Sequence, residues 1–295
     1  NGQGAGRRVR EDLFFTPRIF AGIPAKDAEF ESSKVVVLPV PYDSTTDWHA
    51  GTRDGPITII DASQYLELYD QELDREIYRV GIHTLPELQP SMSGPEKMVE
   101  NVYEVARELV RRGKLVVMLG GEHSISCGMV KAFREGYPSL SVLQLDAHTD
   151  LRDEYMGTRY NHACVMRRVL EMCPIVQVGI RSLSYEERVF LEQNGMMPFY
   201  AEAPLDRDEI VQALSDDVYI TIDLDALDPS IMSAVGTPEP GGMGWYEVLG
   251  LLREVCQRKR VVGFDVVELS PREGPASCAF LVAKLTYKLI GYITS

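Results

Sequence analysis

The sequence lacks the marks of several protein classes. Its 295 residues include five cysteines, Cys127, Cys164, Cys173, Cys256 and Cys278, and no Cys-x-x-Cys pair. That odd, scattered set excludes a disulfide scaffold or zinc ribbon. Buried free thiols are expected instead, in a reducing compartment such as the cytoplasm. Basic residues are in deficit: 30 Lys plus Arg face 44 Asp plus Glu, for a net charge of −14. Such a balance suits neither a nucleic-acid backbone nor an anionic membrane surface, and neither partner is expected. It is compatible with a cationic small molecule. No apolar run approaches the ~20 residues needed to cross a bilayer. Residues 1–10 are Gly/Arg-rich and polar, unlike a secretory leader. Also missing are Gly-x-Gly-x-x-Gly, Gly-x-x-x-x-Gly-Lys-Ser/Thr, Gly-x-Ser-x-Gly and His-Glu-x-x-His.

What is present is ordinary globular composition, 45% hydrophobic and 25% charged. Short β-branched runs at 35–40, 79–82, 115–119, 141–145, 175–179, 218–222 and 260–266 have strand length. Several are apolar throughout, as strands are when both sheet faces are covered. Between them, helices are expected at 95–112, 123–135, 163–172, 185–193, 206–214, 244–258 and 275–294. In the first of these, Pro95 suits the opening turn, Met98, Val102, Val105 and Leu109 recur at helical spacing, and Gly113 closes the helix. Alternating strands and helices imply a parallel, helix-covered α/β sheet. With no linker or repeat to divide the chain, one α/β domain is expected over 14–295, after a polar extension at 1–13.

In such folds ligands bind beyond the carboxyl ends of the strands. Gly120-Gly121-Glu122-His123-Ser124 follows the run at 115–119, and Asp146-Ala147-His148-Thr149-Asp150 follows that at 141–145. Asp223-Leu224-Asp225 follows 218–222, and Glu268 follows 260–266. In extended chain, residues i, i+2 and i+4 point the same way. Asp146, His148 and Asp150 therefore face a common point, as do Asp223 and Asp225. Two His and four Asp exceed the needs of one divalent ion and fit a binuclear site. Oxygen donors with a few imidazoles suit Mn²⁺, with zinc or Fe²⁺ still open from ligand type. A single Asp after a strand is ordinarily a turn residue or helix N-cap, and Asp228, before Pro229, reads as a turn residue. His162, in Tyr160-Asn161-His162-Ala163, is either a proton shuttle or a polar residue opening a helix. His49 and His83 have no supporting neighbours and read as structural.

These three segments, with Thr221-Ile222-Asp223-Leu224-Asp225-Ala226-Leu227-Asp228-Pro229 as the third, resemble the signatures of the ureohydrolase superfamily of arginases, agmatinases and guanidino-acid hydrolases. The resemblance runs from about Phe14 onward. Pro39-Val40-Pro41-Tyr42-Asp43, Gly51-Thr52-Arg53-Asp54-Gly55-Pro56 and Gly236-Thr237-Pro238-Glu239-Pro240-Gly241-Gly242 look specifically agmatinase-like. It implies a three-layer α/β/α sandwich with a mostly parallel sheet, assembled as a trimer or hexamer. It also implies two Mn²⁺ per subunit: one held by His123, Asp146, Asp150 and Asp223, the other by Asp146, His148, Asp223 and Asp225. His162 matches the family's proton-shuttle His, and Glu268 the Glu that grips the guanidinium.

The implied reaction is hydrolysis of agmatine to urea and putrescine. Guanidinium carbon is a poor electrophile, so water must be activated at neutral pH, which divalent ions do. Asp150 would also aim that water, and His162 would protonate the leaving amine. Leu151-Arg152-Asp153-Glu154-Tyr155-Met156-Gly157 departs from the arginase pattern of small polar residues. Asp153 and Glu154 are candidate partners for a distal substrate cation, with plain surface exposure as the alternative for each. Arg152 and Arg159 keep a guanidino acid such as guanidinobutyrate or guanidinopropionate open, and arginine is a further alternative. A non-catalytic regulatory homologue should lack ligands, and none is missing here. A deacetylase-type amide hydrolase should carry fewer carboxylates.

Overall fold

The computed structural model describes residues 18–295. The extension expected at 1–13 lies outside the described residues. In chain order the elements are β1 (Val35–Val40), α1 (Gly55–Ser63), β2 (Tyr69–Asp70), β3 (Arg75–Glu76), β4 (Ile82–Thr84), α2 (Pro95–Arg111), β5 (Leu115–Gly120), α3 (Ser126–Gly136) and β6 (Leu140–Leu145). Then follow α4 (Val165–Leu170), β7 (Ile175–Ile180), α5 (Tyr185–Gln193), β8 (Phe199–Tyr200), α6 (Arg207–Ala213), β9 (Asp217–Asp223), α7 (Trp245–Arg258), β10 (Arg260–Val267) and α8 (Ala276–Ile293). Eight strands form one sheet in the order β4-β1-β5-β10-β9-β6-β7-β8. Every neighbouring pair in it is parallel. β2 and β3 make a separate antiparallel hairpin.

Strand alternation sorts the apolar residues into two cores. Val35, Val37, Val117, Leu119, Leu143, Leu145, Ile220 and Ile222 join the core under α1, α6, α7 and α8. Their neighbours Val36, Leu38, Val116, Met118, Val142 and Tyr219 join the core under α2, α3, α4 and α5. Consecutive Cβ atoms in a strand point to opposite faces. A strand that is apolar at every position therefore requires helices on both sides, which is the expected α/β/α arrangement.

Three local readings are corrected. Residues 77–80 form a 3-10 turn, and the strand expected at 79–82 is instead Ile82–Thr84. Gly81 (φ 77°) turns the chain between them, where a Cβ would sit 2.7 Å from Ser33 Cα. The helix expected at 163–172 is shortened to Val165–Leu170 after a 3-10 turn at His162–Cys164. α1 was not foreseen: its Ile-Thr-Ile-Ile run favours strand, but Pro56 opens a helix and burial of Ile59 and Ile60 holds it. Finally, α8 is apolar enough over its 18 residues to match a bilayer span by composition. Two-thirds of it is buried in the protein, where Val282, Ala283, Leu285 and Leu289 pack in the core. All five cysteines are free thiols, as expected.

A buried ion cluster fastens α8 to the small hairpin. Lys288 Nζ lies 2.9 Å from Asp70 Oδ2 and 2.7 Å from Glu72 Oε2. Burial works to raise both carboxyls, but Lys288 outweighs it and both fall below their ordinary values. Lowered carboxylate pKa values contribute stability above the unfolded value, near pH 4, and lose it as pH falls through the folded value. Lys288→Ala strands the buried Asp70, while Glu72 keeps Arg253 at 2.9 Å, and should cost about 3 kcal/mol of unfolding free energy. Urea melts from neutral to acid pH should show that gap in full at neutrality and closing toward pH 3.

Candidate metal centre and active site

β5, β10, β9 and β6 are contiguous in the sheet, although β5 and β6 lie far from β9 and β10 in sequence. Their carboxyl ends therefore stand side by side at the crevice where such folds bind ligands. His123 follows β5, Glu268 follows β10, Asp223 and Asp225 stand at the end of β9, and Asp146, His148 and Asp150 follow β6. All but Asp146 line one cavity of about 270 Å³, as does His162.

The turn that delivers His123 leaves no room for side chains. A Cβ on Gly121 would lie 1.9 Å from Tyr42 O, so the Gly121 backbone nests against the chain leaving β1. There Gly121 N donates to Val40 O (2.9 Å) and Glu122 N to Tyr42 O (2.8 Å).

His123 is 1% exposed. Its Nδ1 lies 3.1 Å from Asp150 Oδ2, 3.2 Å from Asp146 Oδ2 and 3.4 Å from Asp223 Oδ2. Yet none of these meets hydrogen-bond geometry, and Nδ1 is an orphaned buried atom. The opposite nitrogen explains why. Nε2 is 2.9 Å from Thr221 Oγ1, whose own proton goes to Asp265 Oδ1 (2.6 Å). Thr221 must then accept from Nε2–H, which leaves Nδ1 as the nitrogen turned to the three carboxylates. Nδ1 sits stably among carboxylates only with a proton on it or with a metal cation between them. The donor set thus fits a metal ion on its own geometry.

The second cluster joins Asp146, His148 and Asp225, so Asp146 is common to both. His148 Nδ1 is 2.9 Å from Asp225 Oδ2 and 3.6 Å from Asp146 Oδ1. Backbone amides aim the acids: Asp146 Oδ1 accepts from His148 N (2.6 Å), Asp223 Oδ1 from Asp225 N (3.1 Å) and Asp225 Oδ1 from Ala147 N (3.0 Å). Crowding shows in the titration. Burial and the Asp146 charge push Asp150 up to about 7. Burial and the neighbouring Asp225 raise Asp223 well above its ordinary value. Burial opposes charge on His123, but the surrounding carboxylates outweigh it and raise that imidazole.

Glu268 Oε1 accepts from His123 N (2.7 Å), and no described residue bonds its second oxygen. Asp150 and Glu268 both hold positive φ, 53° and 70°, which is rare outside glycine. Strain of this kind persists only where surrounding contacts over-determine the backbone. Those contacts are present: Glu268 N donates to Gly121 O (2.8 Å), and Asp150 O accepts from Arg167 N (3.2 Å).

His162 is half-buried at the cavity wall. Its backbone N donates to Thr45 Oγ1 (3.0 Å), and its Nδ1 lies 3.3 Å from the same oxygen. Thr45 Oγ1 in turn donates to the buried Glu122 (2.7 Å). Burial lowers the His162 pKa, with Asp47 opposing.

Three residues are placed otherwise than their functional or structural readings expected. Asp153 stands outside the cavity, pairing with Arg168 (2.6 Å) and Arg159 (3.3 Å) on the outer surface, so it does not face a substrate cation. Glu154 is also exposed and outside the cavity. His49, read as structural, lines the cavity and pairs with Glu273 at 3.0 Å. His83 does bond locally, to Ala28 O at 2.7 Å. Asp228 does make its turn, accepting from Ser230 N at 2.8 Å.

Supporting residues were missed altogether. Gln144 Nε2 donates to Asp146 Oδ2 (2.6 Å), and Gln177 Nε2 donates to Gln144 Oε1 (2.6 Å) and Thr149 O (2.8 Å). Glu187 Oε1 accepts from Thr149 Oγ1 (2.8 Å) and Leu151 N (2.9 Å). A usable signal existed: Gln144, Gln177, Thr221 and Asp265 are polar residues inside otherwise apolar strands, where each must find a partner.

The comparisons with known proteins agree with this geometry. The Arginase family's sequence profile matches residues 33–291. The N(1)-aminopropylagmatine ureohydrolase of Synechocystis sp. is 39% identical, covering 94% of this chain and 96% of that protein. Its counterpart in Thermus thermophilus is 43% identical, covering 90% and 92%. The crystal structure of the agmatine ureohydrolase of Thermoplasma volcanium superposes with a TM-score of 0.86 at 32% identity, covering 95% and 96%. Sequence, fold and the paired His/Asp clusters thus converge, and the chain belongs to the arginase family as an enzyme of its ureohydrolase type.

Proposed function

We propose that this protein hydrolyses amine-tailed guanidines to urea and an amine, with two Mn²⁺ held by His123, Asp146, His148, Asp150, Asp223 and Asp225. The observation that carries the hydrolytic reading is His123 Nδ1 set among three carboxylate oxygens. An all-oxygen-and-imidazole donor set favours Mn²⁺ over thiophilic ions. Agmatine is the minimal substrate of this class. N(1)-aminopropylagmatine, agmatine lengthened at its amine, is the second reading, favoured by the names of the two relatives near 40% identity. A cationic tail suits the cavity: Asp47, Asp150, Glu187, Asp223, Asp225 and Glu268 line it against one guanidinium, Arg152.

The chain's own groups divide the work as follows. Divalent ions bound at the two clusters supply water activation near neutral pH and Lewis-acid stabilisation. Glu268, with Oε1 pinned by the His123 amide, offers Oε2 to a planar guanidinium through charge-assisted bonds. Asp150 accepts a hydrogen bond from the attacking water and orients it. Thr45 gives its proton to Glu122 and so faces His162 Nδ1 as an acceptor. That leaves Nε2 of His162 for proton exchange in the cavity. A half-buried imidazole with a lowered pKa releases its proton readily, as the leaving amine requires.

His123→Ala should lose bound metal, measured by elemental analysis. His162→Ala should keep its metal and lose about a hundredfold in kcat. Equal metal loss in both would sink the role assignment. A urea-release panel loaded with Mn²⁺ tests the substrate. N(1)-aminopropylagmatine and agmatine should give urea, whereas arginine, guanidinobutyrate and guanidinopropionate should give little. Clear urea from a guanidino acid, with none from the amines, would overturn the reading.

A further inference from the structure

The loop between β1 and α1 supplies four consecutive cavity residues, Thr46, Asp47, Trp48 and His49. None of them belongs to the metal clusters or to the groups assigned above. Exposed loops of this kind are ordinarily mobile, but this one is fastened at both ends and in the middle. Asp43, 4% exposed, accepts from Gly51 N (3.0 Å) and from the Arg53 guanidinium, which closes the loop at its base. Thr45 N and Oγ1 both donate to Glu122 (2.7 Å each). His49 is tied to Glu273 at 3.0 Å.

Two side chains on this tethered loop are unexplained by packing. Trp48 is 66% exposed although it lines the cavity, and its ring is T-shaped to that of His49, with centroids 4.2 Å apart and planes at 79°. Asp47 accepts a hydrogen bond from Tyr155 OH at 2.9 Å, and no described cation pairs with it. Arg152, among the described residues the one Lys or Arg side chain lining the cavity, is stacked over the Tyr155 ring at 4.7 Å instead. An exposed indole face beside an unneutralised carboxylate, both held before any ligand arrives, is the pairing that takes an alkylammonium: cation–π contact on one side and an ion pair on the other.

We propose that Asp47 and Trp48 form the subsite for the distal ammonium of the substrate and so set the preference for amine-tailed over neutral-tailed guanidines. Asp47 carries the charge recognition, and Trp48 carries the alkyl chain and the cation. This subsite rests on the reading of the chain as a hydrolase of amine-tailed guanidines. Asp153, outside the cavity, has no part in it.

The test measures kcat/KM with the Mn²⁺-loaded full chain on N(1)-aminopropylagmatine, agmatine, butylguanidine and guanidinobutyrate. Butylguanidine keeps the four-carbon chain and removes only the amine. Asp47→Asn and Trp48→Leu should each cut the agmatine-to-butylguanidine ratio about tenfold, through KM. The lengthened substrate should suffer at least as much. Glu154→Gln, an exposed acid outside the cavity, should keep the wild-type ratio. Thermal unfolding of each variant checks that the fold is intact. Wild-type ratios in both loop variants, or an equal fall in Glu154→Gln, would overturn the subsite alone. Wild-type preference for guanidinobutyrate over both amines would overturn the subsite and the parent reading together.

Discussion

Mutual repulsion among buried carboxylates is the constraint on which the site is built. Asp146, Asp150, Asp223 and Asp225 lie at the ends of adjacent strands, each less than one-tenth exposed, with Glu268 beside them. In a low-dielectric interior such charges repel strongly, and none has a Lys or Arg partner among the described residues. The protein does not relieve this by spreading the acids apart. It fixes one oxygen of several with a backbone amide and turns the other inward, so that the unsatisfied charge converges. A site of this kind is stable and ordered when cations share it, because metal affinity and folding draw on the same free energy.

Holding mutually repelling groups in place demands a stiff surround. The parallel sheet provides it by being packed on both faces. Beyond the strand ends, Gln144 and Gln177 hold the loop that carries His148 and Asp150, and Glu187 holds it from α5. Thr221 and Asp265 hold Nε2 of His123 and so aim Nδ1 at the carboxylates, an orientation that no ligand residue sets for itself. The positive φ angles at Asp150 and Glu268 mark where this surround overrides local preference.

Much of this was legible in the sequence because two periodicities happened to carry it. Unbroken apolar strands such as Val35–Val40 announced a sheet covered on both faces, and the alternating Asp-x-His-x-Asp announced convergent ligands. What stayed hidden depended on contacts distant in sequence. α1 looks like a strand until it is packed on α8. Asp153 and Arg168 are 15 residues apart, and only their pairing removes Asp153 from the cavity. His49 gained its place because the β1–α1 loop folds over the strand ends of a sheet assembled largely from later sequence. No local pattern records such a meeting.

The strand order has a consequence for how the centre comes into being. β10, the last strand in the chain, is inserted between β5 and β9. Before it is seated, His123 belongs to one fragment of sheet and the Asp146 and Asp223 loops to another. The half-sites are joined by a single strand, β10. The cluster of Asp146, His148 and Asp225 draws only on β6 and β9, which pair directly, whereas the cluster that includes His123 is complete only once β10 is seated: an ion held there would be a clasp across the seam that β10 closes.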